Sequence, residues 1–253
     1  MIKKRILGSV VIRDNYAVQS FKFKKYLPIG KPEIVVENLS WWGVDEILLL
    51  DINSKKKNKE VNLEVLKKIC KKNLSTPLIY AGRIYNSNDA IKLINCGVER
   101  IALGSIIFEN VYQIKEISQK LGSQSIIIIL NFVFKNNKLY LLDHRNNNLE
   151  LYSKIEDKLR IIQKYFSEIL VIDVENQGSN GKFNLKILKN INLQKKLILC
   201  GGMFNYKKIT KMLKNNRISA ISIGNQLNFK EHAYQELKNK IKSKYLRPAL
   251  YNK

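Results

Sequence analysis

The chain has 253 residues, 45% of them hydrophobic, and a formal net charge of +24. That apolar content suits a large core and argues against disorder, no apolar run approaches the roughly 20 residues of a membrane span, and Arg13 and Asp14 break the basic-then-apolar start before it could act as a signal peptide. The lysines are spread over helix faces and loops with no aromatic–basic motif, so nucleic acid is not an expected partner; Cys70, Cys96 and Cys200 form no CxxC and the histidines are only His144 and His232, so no metal, cofactor or disulfide framework is expected and a cytoplasmic location is.

Arg5 to Ile12 reads as a first strand. The loop that follows, Arg13 to Pro32, is long enough to be a functional lid. Pro32 opens a helix to about Trp42, and Gly43 ends it. Strand two is Glu46 to Asp51, a block apolar at every position except its ends. A polar loop, NSKKKNKE, precedes a lysine-rich helix from about Val61 to Lys72. Strand three is Pro77 to Ala81. Asn86 or Ser87 caps a helix that Gly97 closes. Strand four is Arg100 to Gly104, followed by a helix from about Val111 to Leu121. GSQSIIIILNF is strand five. From Val133 to Lys154, KLYLLD and NLELYS alternate around HRNNN, the pattern of an inserted β-hairpin. A helix from about Lys158 to Phe166 leads into strand six, Glu168 to Asp173, and then the Gly-rich QGSNGKFN. Strand seven is Lys196 to Cys200, strand eight Ser219 to Gly224, and a last helix runs from about Lys230 to Lys244.

Strands apolar at every position are buried on both faces, as in a parallel sheet covered by helices. The second half repeats the first at an interval of about 120 residues. EILLLDIN returns as EILVIDVE, with Asp51 matching Asp173. Ala81-Gly82 matches Gly201-Gly202, and ALGS at 102–105 matches SIGN at 222–225. Alike Ile-rich strands explain the apolar runs but not Asp, Gly and Gly-Ser/Asn in the same order twice. The expected fold is a single (β/α)8 barrel over 1–253, built from half-barrels of about 1–122 and 123–253.

Such barrels place their chemistry in the loops after each strand. Here those loops begin Gly82-Arg83, Gly104-Ser105, Gly178-Ser179, Gly201-Gly202 and Gly224-Asn225. Glycine lets a backbone N–H approach an anion closely. One cradle per half would hold a phosphorylated small molecule at two points, with Arg83 as a charge-assisted clamp. The plainer reading of each glycine pair alone is an ordinary turn.

KRILG at 4–8, VDEILLLDI at 44–52, GVERIALGS at 97–105, LGSQSIIII at 121–129 and the glycine pair after strand seven together resemble the cyclase (synthase) subunit of imidazole glycerol phosphate synthase. The resemblance covers nearly the whole chain. It implies a duplicated (βα)8 barrel that takes ammonia from a glutaminase docked at its amino-terminal face, and that cleaves and cyclises a bis-phosphorylated ribulosyl compound at the opposite face. It also implies a channel gate of four charges, matched by Arg5, Glu46, Arg100 and Glu168. The plainer reading of those four is solvated charge at strand starts. The family's catalytic aspartates fall on Val11 and Asn131, neither of which can transfer a proton at useful pKa. Asp51 and Asp173 remain as candidate substitutes. Other departures are Gln19 for a lysine in the first loop, Gln177-Gly178-Ser179 for Asp-Gly-Thr, Arg83 for a glycine, and Gly181-Lys182 for Ser-Gly.

This combination is similar to a divergent branch of the family in surface-polysaccharide pathways, which the loop VQSFKFKKYLPIGKP also resembles. It implies an ammonia-conducting subunit that works with a glutaminase and a sugar amidotransferase. Two other readings stay open: a genuine histidine-pathway cyclase using Asp51 or Asp173, and a non-catalytic scaffold that activates a glutaminase.

Overall fold

The computed structural model describes residues 3–52, 60–180, 182–228, 231–241 and 244–249. Most of the polar loop after strand two, Gly181, and Lys230 at the expected start of the last helix lie outside them.

Strand β1 (Arg5–Arg13) is continued by an antiparallel excursion, β2 (Tyr16–Phe21) and β3 (Lys25–Gly30). Helix α1 (Pro32–Trp41) begins on proline, which fits a first helical turn. Then come β4 (Glu46–Asp51), α2 (Leu63–Cys70), β5 (Leu78–Ala81) and α3 (Ser87–Asn95). Asn86 caps α3, its side chain accepting from the amide of Asp89. Strand β6 (Arg100–Leu103) is followed by a single turn α4 (Ile106–Glu109) and by α5 (Tyr112–Leu121). The second half runs β7 (Ile126–Lys135), β8 (Lys138–Asp143), β9 (Asn148–Leu151), α6 (Tyr152–Ile162), β10 (Glu168–Asp173), α7 (Leu185–Asn190), β11 (Lys196–Cys200), α8 (Tyr206–Met212), β12 (Ile218–Ile223) and α9 (Ala233–Ile241).

Eight of these strands pair in parallel, in the order β1, β4, β5, β6, β7, β10, β11, β12, and β12 pairs back onto β1. The result is a closed (β/α)8 barrel. Side chains alternate across each strand. Leu7, Val11, Leu48, Leu50, Ile127, Ile129, Leu170 and Ile172 pack inside the barrel. Ile6, Val10, Ile47, Leu49, Ile128, Leu130, Ile169 and Val171 pack against the helices. Both sides are apolar, which is why β4 and β10 are buried at every position.

Three expectations need correction. The segment 13–32 is not an irregular loop. β1 turns through Asp14 and Asn15, both left-handed (φ 50° and 68°), straight into β2. β7 does the same through Asn136 and Asn137 (φ 50° and 55°) into β8. Two left-handed residues make the turn whose twist matches a hairpin, and Asn and Asp tolerate that conformation. The inserted hairpin is therefore the outer part of an excursion that continues strand five, and the first strand carries its own version. Next, the helix expected at 158–166 starts at Tyr152, directly at the end of β9, because Tyr152, Ile155, Leu159 and Ile162 make one buried face. Last, α7 and α8 were not foreseen. They are short and lysine-bearing, and their legible signal is the capping residue, Asn184 and Asn205 respectively.

Candidate active face and charged base

The first residues of β1, β4, β6 and β10 are Arg5, Glu46, Arg100 and Glu168. Their positions share the parity of the barrel-facing residues above them, so all four side chains meet at the amino-terminal end of the barrel. Arg5 binds Glu46 at 2.8 Å and Glu168 at 2.6 Å; Arg100 binds Glu168 at 2.7 Å and approaches Glu46 to 4.0 Å. The side chains are 10–15% exposed, so these are not solvated strand-start charges. The two carboxylates nonetheless differ. Burial, with a smaller push from the neighbouring Glu168 charge, holds the Glu46 carboxyl above the usual range against the pull of Arg5 and Arg100. Burial pushes Glu168 the same way, but Arg5, Arg100 and the Ser219 hydroxyl more than offset it and hold that carboxyl below the usual range. The difference follows from contact: both arginines reach Glu168 closely, whereas Glu46 Oε2 makes no hydrogen bond.

Above this ring the interior is apolar, including the small Ala102 and Ala220. Polar atoms return at the carboxyl end. Val11 lies beside Leu50, and Asn131 beside Ile172, so both face inward at the level expected of the family's acids. Asp51 and Asp173 are one residue further along their strands, with the opposite parity. Asp51 accepts from the Tyr80 hydroxyl at 2.8 Å and pairs with Arg83 at 2.9 Å. Asp173 accepts from the Asn176 side chain and the Asn184 amide, both at 2.8 Å. Both carboxylates are buried and hold loops, not the interior. Burial, then Asp51, keep the Tyr80 phenol well above its ordinary pKa, so it stays a donor.

A cavity of about 410 Å³ opens at the carboxyl ends of β10, β11, β12 and β1. Gly178, Ser179, Gly201, Gly202, Gly224 and Asn225 line it, together with Ser9, Val11, Gln177, Cys200 and Ser222. Gly82, Arg83, Gly104 and Ser105 belong to the other side of the mouth. Cys200 is a thiol and not a nucleophile: burial pushes it up to about 12. Among the described residues Ser222 Oγ has no oxygen or nitrogen partner, and it faces the Cys200 sulfur.

The β2–β3 excursion is tied down over this cavity. Gln177 accepts from the Ser20 hydroxyl at 3.1 Å and the Phe23 amide at 3.2 Å, and its carbonyl accepts from the Lys22 amide at 2.9 Å. Asn225 donates to the carbonyls of Ser20 at 3.0 Å and Gly178 at 3.1 Å. Gly178 is left-handed (φ 69°), and a Cβ there would lie 1.7 Å from the Ser20 carbonyl oxygen. Phe23, Tyr26, Val133 and Leu142, from the two excursions, cap the barrel's inner cluster. This latch and the hydroxyls of Ser9 and Ser222 were not foreseen. The period-two count along strands one and eight could have found the serines; the latch joins residues about 155–205 positions apart and has no local signal.

A family model described as histidine biosynthesis protein matches residues 5–233. Among similar proteins, a putative imidazole glycerol phosphate synthase subunit hisF2 of Vibrio vulnificus is 26% identical, covering 100% of this chain and 93% of its own. The imidazole glycerol phosphate synthase subunit HisF of an Exiguobacterium species is 23% identical over 96% of this chain and 95% of its own. That of Staphylococcus aureus is 26% identical over 96% and 97%.

Proposed function

This chain belongs to the histidine biosynthesis protein family, and from that premise we propose that it is the cyclase-like subunit of a glutamine-dependent amidotransferase, one that conducts ammonia but lacks the ordinary acid/base pair. Ammonia released by a glutaminase docked at the charged base passes Arg5, Glu46, Arg100 and Glu168. It follows the apolar interior to the cavity, where a phosphorylated acceptor is held by Gly178, Ser179, Gly201, Gly202, Gly224 and Asn225. The carrying observation is that a buried ring of four charges, two of each sign, sits at one end of the barrel, while at the other end a cavity is lined by Val11 and the equivalent inward position on β7 is Asn131. Buried ion pairs are costly unless well matched, and this ring matches two of each sign.

Neither Val11 nor Asn131 can serve as a general acid or base. Asp51 and Asp173 are turned out of the interior and engaged in loops, which weighs against their use as substitutes. Sugar amidation or amidination in surface-polysaccharide biosynthesis, with a sugar amidotransferase as third partner, is the acceptor chemistry that best fits the first-loop resemblance. The names of the curated relatives favour a second reading, a genuine cyclase. The test supplies the purified chain with ammonium and the ribulosyl intermediate. Turnover to imidazole glycerol phosphate is expected about 10³-fold or more below that of a cyclase with both acids, in line with the worth of acid/base catalysis. A Val11→Asp, Asn131→Asp double variant should recover part of it. Full turnover by the natural chain would overturn the proposal in favour of the second reading, and loss of that turnover in Asp51→Asn would then name the acid.

A further inference from the structure

The chain's charge is not spread evenly around the barrel. No Asp or Glu occurs from 15 to 32 or from 176 to 230, although those stretches hold fifteen lysines and arginines. The first stretch is the β2–β3 excursion and the start of α1; the second runs from the end of β10 through β11 and β12. Because β12 pairs with β1, the two form one acid-free sector of the wall. At its carboxyl end this sector leaves large apolar side chains in water, on and beside the rim of the cavity. Leu27 is 55% exposed, Ile29 36% and Phe204 45%, and Ile29 and Phe204 also line the cavity. Lysines interleave with them. Lys25, Leu27, Ile29 and Lys31 are all exposed along β3 and just beyond it, and Lys22 and Lys24 are exposed in the turn before it. Phe204 shares an open recess with Lys182 and Lys207.

Strand β3 pairs only with β2, and lysines and a proline are common on a free edge, where they deter pairing with another chain. That accounts for Lys25, Pro28 and Lys31. It does not account for three large apolar side chains in water, nor for the missing acids. A second copy of this chain, at +24, would be repelled. A protein interface suits the rim poorly, because lysine is depleted from the buried centre of such contacts. An anionic lipid surface suits it well. Apolar tips enter the headgroup layer while lysine stems carry their charges out to the phosphates, and the surface potential attracts each of those lysines. Among the described residues no helix is long and apolar enough to cross a bilayer, so the contact is peripheral.

We propose that the rim made by the β2–β3 excursion and the Phe204 loop docks the chain onto an anionic lipid surface. Leu27, Ile29 and Phe204 are the inserted tips, and the lysines around them contact the headgroups. Ile29 and Phe204 belong to the rim and to the cavity alike, so docking turns the cavity toward the bilayer. Docking of this kind is independent of ammonia conduction and of the acceptor.

The test is flotation of the full chain with extruded vesicles at about 0.1 M salt, comparing pure phosphatidylcholine with phosphatidylcholine that carries about one third phosphatidylglycerol. Binding is expected to the anionic vesicles only, and should weaken at least tenfold at about 0.5 M salt. Lys24→Gln and Lys25→Gln together should weaken it about 25-fold, about fivefold for each lysine lost. Leu27→Ser leaves the charge unchanged and should weaken it about tenfold. Lys115→Gln with Lys158→Gln removes the same charge from α5 and α6, across the barrel from this sector, and should change binding less than about twofold. All five positions are exposed, so folding is not at stake. The proposal is overturned if neither vesicle binds or both bind alike. It is overturned equally if the α5–α6 pair weakens binding as much as the rim pair, which would mean that net charge alone acts. It also falls if Leu27→Ser binds as the natural chain does, which would leave the apolar tips to an acidic protein partner instead.

Discussion

Glu46 and Glu168 begin equivalent strands, are equally exposed, and still respond in opposite directions. Glu168 has its carboxyl held below the ordinary 4.5. Its ionised form therefore stabilises the fold above pH 4.5, and the contribution is lost as pH falls through the depressed folded-state value. Glu46 has its carboxyl raised above 4.5, so it favours the fold below that pH and loses the advantage as pH rises through its folded-state value. Replacing Glu168 by Gln at pH 7 leaves Arg100 without its close partner and should cost about 3 kcal/mol in denaturant unfolding. Glu46→Gln should cost much less. The gap between Glu168→Gln and the natural chain should close as pH is lowered below 4.5; a gap unchanged down to pH 3 would mean that Glu168 is not the anchored member of the ring.

At the scale of elements, the two excursions continue barrel strands through paired left-handed residues and meet over the mouth, where Phe23 stacks edge-on to His144 at 5.2 Å. The latch of the first excursion depends on Gly178, where no other residue fits against the Ser20 carbonyl. Gly178→Ala adds both a clash and left-handed strain of about 1–2 kcal/mol. It should leave the barrel's melting temperature nearly unchanged but raise hydrogen exchange of the Lys22 and Phe23 amides about tenfold or more. Unaltered exchange there would show that Gln177 and Asn225 do not hold the excursion. The far end of the molecule has a separate clasp: Lys238 on α9 pairs with Asp45 at 2.9 Å, and Asp45 accepts from the Ile6 amide at 2.7 Å, closing the seam between β1 and β4.

Across the whole molecule, the charged ring and the cavity lie at opposite ends of the barrel, so under the proposed function a change at the base should be felt at the top without any change in ligand contacts. In the complex with a glutaminase that the proposed function requires, Arg5→Ala is expected to uncouple the two: glutamate release continues while aminated product per glutamate falls at least severalfold. If the variant alters only the affinity between the subunits and leaves that ratio intact, the scaffold reading gains and the channel reading fails.

The sequence by itself determined the barrel, because strands buried on both faces must be apolar throughout and a repeated order of Asp, Gly and Gly-Ser/Asn marks equivalent strand ends. It also placed Arg5, Glu46, Arg100 and Glu168 at strand starts and Val11 and Asn131 at strand ends, since register along a strand is local. Only the tertiary structure decided which way those ends point: a single residue of parity turns Asp51 and Asp173 away from the interior while Val11 and Asn131 face it. It decided equally that Arg83 is held by Asp51, that Glu46 and Glu168 titrate apart, and that Gln177 and Asn225 fasten Ser20. Each of these rests on contacts between distant stretches of chain, whose energies depend on burial and partner distance, quantities that exist only once the barrel has closed.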